Sequence, residues 1–379
     1  MKKYALRLTI LLLIIYIPLE TYAQIPLERV LSRVTVPSGL DTRGLVDIVG
    51  FPGAAEQMDY IGALAEEIEK DNLNANMAKF NLDEDTGFLC GICPHDDYAL
   101  AARVYVHVQK YIKAKTVILI GNAHWSEAFG IRDRIILGDF SYWRGPYGNV
   151  KVSEYRDQII ENLPDDSYIV NRLAVETEHS LEALIPYMQY FNRDVEIIPI
   201  LVSFMDWDTM DRRGVELAQA VAGLIEENGL KYGEDIAVLI STDGQHYGDY
   251  GWSYYDYHPH GCDAKGYNKA TELDNKLVKK YLAGKVNSGK VKNLFSRLVD
   301  QDDVSNYKIT WCGRFAAPFG VNFANHLNNR INGRDLEGVF LRYGTSISDP
   351  WLDLSEYGLG LTGDANLHHF VTYFAVGYR

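Results

Sequence analysis

Val117-Ile118-Leu119-Ile120-Gly121, with His124 three residues on, is the stretch that decides the fold. Four consecutive apolar residues between turn signals read as a strand buried on both faces, and the histidine then falls just past its carboxyl end. The same arrangement recurs twice. Val238-Leu239-Ile240 runs into Asp243 and His246. Phe88–Cys93 runs into Pro94 and His95, where a proline lacking an N–H ends the ladder. One loop histidine is ordinarily a hydrogen-bonding surface group. Three at strand ends, in a chain with ten histidines, point to a shared crevice, because loops leaving the carboxyl ends of strands in an open α/β sheet converge. Glu178-His179-Ser180 and Trp311-Cys312-Gly313-Arg314 add ligand-type residues to that set. Together the five stretches predict one metal site.

Around them, short apolar runs alternate with helical patterns. Strands are predicted at Phe88–Cys93, Thr116–Gly121, Ile197–Ser203, Ala237–Thr242, Lys308–Cys312, Gly338–Tyr343 and Val371–Val376. Helices are predicted at Met58–Asp71, Ala99–Tyr111, Glu178–Phe191, Arg213–Asn228, Tyr267–Ala283 and Phe319–Asn329. In the third of these, Leu181, Leu184, Ile185 and Met188 form an apolar stripe that belongs to the core, and His179 sits in the first turn. The fold class is α/β, a three-layer α/β/α domain with a central mixed sheet.

Residues 1–23 carry Lys2, Lys3 and Arg7, an apolar run from Leu8 to Ile17, Pro18 and a small-residue end at Ala23. That pattern is a secretory signal peptide. Its apolar core is about half the ~20 residues of a membrane helix, and no cysteine follows the cut to take a lipid. Removal takes away three positive charges and one negative, moving the formal charge from −14 to −16. A chain this acidic excludes nucleic acid as a partner. The remainder, about 355 residues without a repeat or a Pro/Gly/Ser linker, reads as an extension over 24–42 and one domain over 43–379. The expected location is exported, periplasmic or extracellular, with no membrane span after cleavage.

Four cysteines are too few for a disulfide scaffold. Cys90 and Cys93 resemble a redox pair, but three residues of strand separate their α-carbons by about 10 Å and turn them to opposite faces. A disulfide needs less than about 7 Å, so they are expected to be core residues. His258-Pro259-His260-Gly261-Cys262 alternates ligand types in an aromatic loop. It is read as a polar loop over the crevice, with a second metal as the sharper alternative.

The ordered motifs resemble a known family. Pro94-His95-x-x-Tyr98, Gly121-x-x-His124, Glu178-His179-Ser180-Leu181-Glu182, Ile198-Pro199-Ile200-Leu201-Val202, Ser241-x-Asp243-x-x-His246-Tyr247-Gly248 and Cys312-Gly313-Arg314 are similar to the Memo family, also called AmmeMemoRadiSam system protein B. Trp252-Ser253-Tyr254-Tyr255-Asp256 and a last strand at Val371–Gly377 extend the likeness over nearly the whole chain. The resemblance implies a fold related to class III extradiol ring-cleaving dioxygenases. It also implies His95, His124 and Cys312 as metal ligands, with His179, Asp243 and His246 lining the pocket as catalytic candidates.

Two imidazoles and a thiolate suit iron, copper or zinc and serve a hard ion poorly. Iron or copper is the expected cofactor, with zinc a further fit. Three protein ligands leave positions open for water, dioxygen or substrate. His179 and His246 are suited to proton transfer, and Asp243 to orienting an imidazole. The sequence departs from the family where Asp96 and Asp97 replace small residues, where Trp125 replaces a second histidine, and where only Gly50-Phe51-Pro52 remains of an opening Ser-Trp-Tyr-Pro. At least one of the two aspartates is expected to face solvent. The function read from all this is a dioxygenase-like, metal-dependent redox enzyme acting on a small organic molecule. The alternative is a non-catalytic module holding a metal or an extended peptide in the same crevice. A serine hydrolase is weaker, since Gly-x-Ser-x-Gly is absent. The family's usual radical-SAM partner is intracellular, so an exported member is expected to work alone or with another envelope protein.

Overall fold

A computed structural model describes residues 25–252 and 255–379. The signal-peptide reading of residues 1–23 lies outside them. Seven strands carry the architecture: β1 (Cys90–Cys93), β2 (Thr116–Asn122), β3 (Glu196–Val202), β4 (Ile236–Ser241), β5 (His246–Trp252), β6 (Glu337–Thr345) and β7 (His369–Tyr378). β3, β2, β4 and β1 lie side by side and all parallel. β7 then pairs antiparallel with β1 through its carboxyl half and with β5 through its amino half, and β6 flanks it on the other side. Short strands at Tyr142–Trp143 and Val150–Val152 extend the sheet beyond β3. The sheet is mixed.

Alternation along the parallel strands builds two cores. Val117, Leu119, Ala237, Leu239 and Cys93 point to one face, where they meet α1 (Ala55–Ile68), α3 (Tyr98–Gln109) and α4 (Ile185–Phe191). Ile118, Ile120, Val238, Ile240, Cys90 and Ile92 point to the other, under α5 (Trp207–Asn228), α6 (Ala264–Leu282), α7 (Ser288–Leu298) and α8 (Ala316–Asn332). A helix α2 (Lys70–Phe80) follows α1. The three layers expected from the sequence are present, and Cys90 and Cys93 are buried free thiols on opposite faces.

Four expectations need correction. The helix predicted from Glu178 begins only at Ile185, after a single 3-10 turn at Glu182–Leu184. The reason lies in contacts from distant segments: the buried Arg43 guanidinium takes the carbonyls of Val175, Glu176 and Glu178, and the Ser241 hydroxyl takes that of Ser180, so acceptors flanking His179 are engaged outside the helix while the His179 carbonyl takes the Ala183 N–H. Pro186 then sits in the first turn of α4, where its missing N–H costs nothing. Lys308–Cys312 is not a strand. Trp311 makes one bridge, to Gln245, and a turn closed by the Arg314 N–H on the Trp311 carbonyl sends the chain into α8. His246 lies not in a loop but at the first position of β5, opposite Val371. The helix predicted from Met58 runs instead over Ala55–Ile68, and α2 was not foreseen.

Candidate metal centre

The carboxyl ends of β1, β2 and β4 open onto one site. β1 ends at Cys93 and Pro94 delivers His95; β2 ends at Asn122 and delivers His124; β4 ends at Ser241 and delivers Asp243. The turn before α8 brings Cys312 to the same point. His95, His124 and Cys312 each place a ligating atom within 4.8 Å of the other two. The closest pair is His95 Nε2 and Cys312 Sγ, 3.2 Å apart. Two glycines permit this convergence. A Cβ at Gly313 would overlap the Thr242 side chain, and one at Gly121 would stand 2.6 Å from Leu181 Cδ2, so the Cys312 turn and the 178–182 loop can close on the strand ends only with glycine there.

Hydrogen bonds decide which nitrogen each histidine offers. The Ser241 hydroxyl donates its one proton to the Ser180 carbonyl at 2.6 Å. Toward His95 Nδ1, 2.8 Å away, it can therefore only accept. His95 thus carries its proton on Nδ1 and turns a bare Nε2 toward Cys312. Glu178 does the same for His124. Its Oε1 accepts from Nδ1 at 2.9 Å and its Oε2 from the His124 N–H at 2.8 Å. Burial opposes the Glu178 charge, but His124, His179 and the Ser180 N–H outweigh it and hold the carboxyl well below the usual range. Such outer partners fix the tautomer and orientation of a ligating imidazole.

Burial sets the charges. It pushes His95 down to about 3, so the ring is neutral, and it drives the Cys312 thiol well up, with Asp243 adding to the effect. A thiolate there needs a cation beside it. Asp243, pushed up to about 7 by burial, accepts the His95 N–H at 2.9 Å through Oδ1 and places Oδ2 3.5 Å from His95 Nε2 and 3.8 Å from Cys312 Sγ. It stands closer to the donors than a pocket residue, and with His246 and Cys312 it forms a second ligand-competent triad. His179 stacks on His124 with ring centroids 4.8 Å apart, and His246 Nε2 lies 4.0 Å from Asp243 Oδ2. Burial takes both rings well below their ordinary range, so both are neutral. All six residues singled out in the sequence come together here.

Three residues that hold this site were not singled out: Glu178, Ser241 and Arg43. Ser241, a hydroxyl closing the apolar run Ile236–Ile240, was visible in the sequence as an exception. Arg43 was not, because its role depends on contacts 132 or more positions away. The expectation that at least one of Asp96 and Asp97 faces solvent fails for Asp97 and holds only in part for Asp96, which is half-buried. Asp97 is buried and takes the Thr362 N–H at 2.6 Å and its hydroxyl at 2.9 Å, while Asp96 accepts from Tyr373 at 2.6 Å. Burial raises both, with the Asp243 charge adding at Asp96 and the Asp96 charge adding at Asp97, Asp96 to about 6 and Asp97 to about 8. Trp125 lies beside His124 and packs under the Arg33 guanidinium, 4.7 Å from its ring centre.

A model of the Memo-like protein family matches residues 64–350, three quarters of the chain. The chain belongs to the Memo-like family. Among similar proteins, a MEMO1 family protein of Pyrobaculum arsenaticum is 34% identical over 42% of this chain and 53% of its own length. One from Methanosarcina barkeri is 29% identical over 42% of this chain and 55% of its own. The chain thus spans about half the length of these two relatives. A MEMO1 family protein of Pyrococcus abyssi is 26% identical over 68% of this chain and 79% of its own. An uncharacterized protein of Escherichia coli K12 overlays with a TM-score of 0.40 at 12% identity, covering 75% of this chain and 98% of that one; a likeness so loose says nothing about chemistry. Membership in the Memo-like family agrees with the motif order, and the segments bearing all six site residues fall inside the matched region.

Proposed function

We propose that this Memo-like protein holds one transition-metal ion, iron or copper, on His95, His124 and Cys312 and performs dioxygenase-like redox chemistry on a small organic molecule. The observation that carries the proposal is the pair of imidazoles locked with Nδ1 protonated, one of them presenting a bare Nε2 3.2 Å from a buried thiol. Two imidazoles and a thiolate favour a soft or borderline ion, and such an ion supplies Lewis acidity and one-electron chemistry.

The protein residues divide the remaining work. Ser241 and Glu178 hold the two rings in register. Asp243 fixes the His95 backbone and, with its affinity for a proton raised to about 7, is able to exchange one near neutral pH. His179, at the opening, and His246, beside Asp243, are neutral and present ring nitrogens that can hydrogen-bond and orient a bound molecule. The His95 and Cys312 side is closed, whereas the His124 and His179 side chains keep 15% and 24% of their exposure. That narrow opening favours a small ligand over a peptide.

The test is metal analysis and oxygen uptake on protein recovered from its native compartment. The expected result is near-stoichiometric iron or copper and dioxygen consumption with a vicinal diol, both lost in Cys312→Ser. Bound metal with no oxygen uptake across a substrate panel favours the non-catalytic module; metal-free protein overturns the assignment.

A further inference from the structure

We infer that Asp249, Cys262 and His368 form a second metal site that takes a borderline divalent ion of the zinc class with one position left open. The three come from separate segments, β5, the loop before α6, and the turn before β7, yet each places a ligating atom within 4.8 Å of the others. His368 Nδ1 already lies 2.7 Å from Asp249 Oδ1. Carboxylate, thiolate and imidazole are the donors zinc uses, at bond lengths of about 2.0–2.3 Å that set donor separations of roughly 3.3–3.8 Å. Drawing the wider separations in by about 1 Å and opening the His368–Asp249 pair by about 0.6 Å is within reach of side chains at the surface. His258 and His260, whose spacing first suggested a metal here, are not part of this three-residue cluster, and His258 turns to Asp256 at 2.7 Å.

The backbone around the three is fixed in place. The Tyr247 hydroxyl accepts the His260 N–H at 2.9 Å and donates to the Gly261 carbonyl at 3.1 Å, clamping the loop onto β5 two residues before Asp249. Gly261 takes a left-handed turn (φ 86°) before Cys262, and Asp263 caps α6 immediately after it. On the other side, a Cβ at Gly248 would collide with the His368 carbonyl, so glycine lets the 366–369 turn lie against the strand. Partial burial and the neighbouring Asp249 raise the Cys262 thiol, a repulsion that a bound cation reverses. Binding releases the thiol proton to water, so affinity rises with pH.

Zinc alone is the probe, titrated into the full chain against a chromogenic chelator. Wild-type protein is expected to take two equivalents. Cys262→Ala and His368→Asn are each expected to take one, Cys312→Ser one, and Cys262→Ala with Cys312→Ser none. His368→Asn sits on an exposed turn and guards against misfolding of the cysteine variant. Unchanged stoichiometry in both Cys262→Ala and His368→Asn overturns the second site. If Cys312→Ser alone loses an equivalent, the central site stands without it.

Discussion

Ser241 determines which nitrogen His95 offers, and that makes it the most informative single residue to change. Ser241→Ala leaves His95 Nδ1 without its acceptor, and we expect a 10- to 100-fold loss of metal affinity with the fold intact. Glu178→Gln should act similarly through His124, because an amide cannot accept at both of the contacts the carboxylate now serves. Both are read by metal titration alongside circular dichroism; full affinity in Ser241→Ala removes the tautomer argument. Most of the residue types that meet at the centre were legible in the sequence because His95, His124 and Asp243 stand just past strand ends and Cys312 in a glycine turn. The roles of their partners were not, since Glu178, Ser241 and Arg43 are chosen by contacts between distant segments, although Ser241 stood out as a hydroxyl closing an apolar run. Asp97, and the depth of the half-buried Asp96, were misread for the same reason. Composition says carboxylates face water, but Thr362 and Tyr373 supply donors that no local pattern announces.

At the scale of elements, the site depends on strand ends and turns closing to contact. Gly313→Ala forces the Cys312 turn off Thr242 and is expected to cost about 1–3 kcal/mol while displacing the thiol from His95. Urea denaturation and metal titration measure the two effects, and unchanged values in both would show that the turn has slack. Away from the site, Glu69 ties the end of α1 to α3 and β6. It accepts from His107 Nε2 at 3.0 Å, from Arg103 at 2.7 Å and from Arg342 at 3.0 Å. Burial opposes its charge, but His107 and Arg342 prevail and hold the carboxyl far below its usual range. A depressed carboxylate stabilises the fold fully above its unfolded value of about 4.3 and loses that contribution as pH falls toward the folded value. Glu69→Gln is therefore expected to lower stability by about 3 kcal/mol at neutral pH, the low end for a broken buried pair because both arginines reach solvent. The gap between variant and wild type should shrink below about pH 4 in denaturation curves; a gap that does not change with pH refutes the charge argument. Periodicity located β1 to β4 and most helices to within a few residues. It failed at Glu178–Leu184, where an apolar stripe is real but Arg43 and Ser241 engage the Glu178 and Ser180 carbonyls, and at Lys308–Cys312, where a strand-like composition serves a turn.

For the whole molecule, alternate burial of the parallel strands fixes the three layers, and the crossover pattern puts the loops of β1, β2 and β4 at one edge. That much followed from short apolar runs spaced by helices. Export rests on residues 1–23 alone. Cell fractionation with an antibody to the chain is expected to place it outside the cytoplasm, about 3 kDa smaller than the full translation product; a full-length cytoplasmic protein contradicts that reading. The central claim concerns the ligand set, and the measurement that tests it most directly is X-ray absorption at the metal edge. Protein with Cys262→Ala, loaded with one equivalent of copper or iron, leaves Cys312 as the thiol in the cleft. The account predicts one sulfur scatterer at roughly 2.3 Å with two imidazoles, and loss of that sulfur on adding Cys312→Ser. A spectrum without sulfur, or one whose sulfur survives Cys312→Ser, contradicts it.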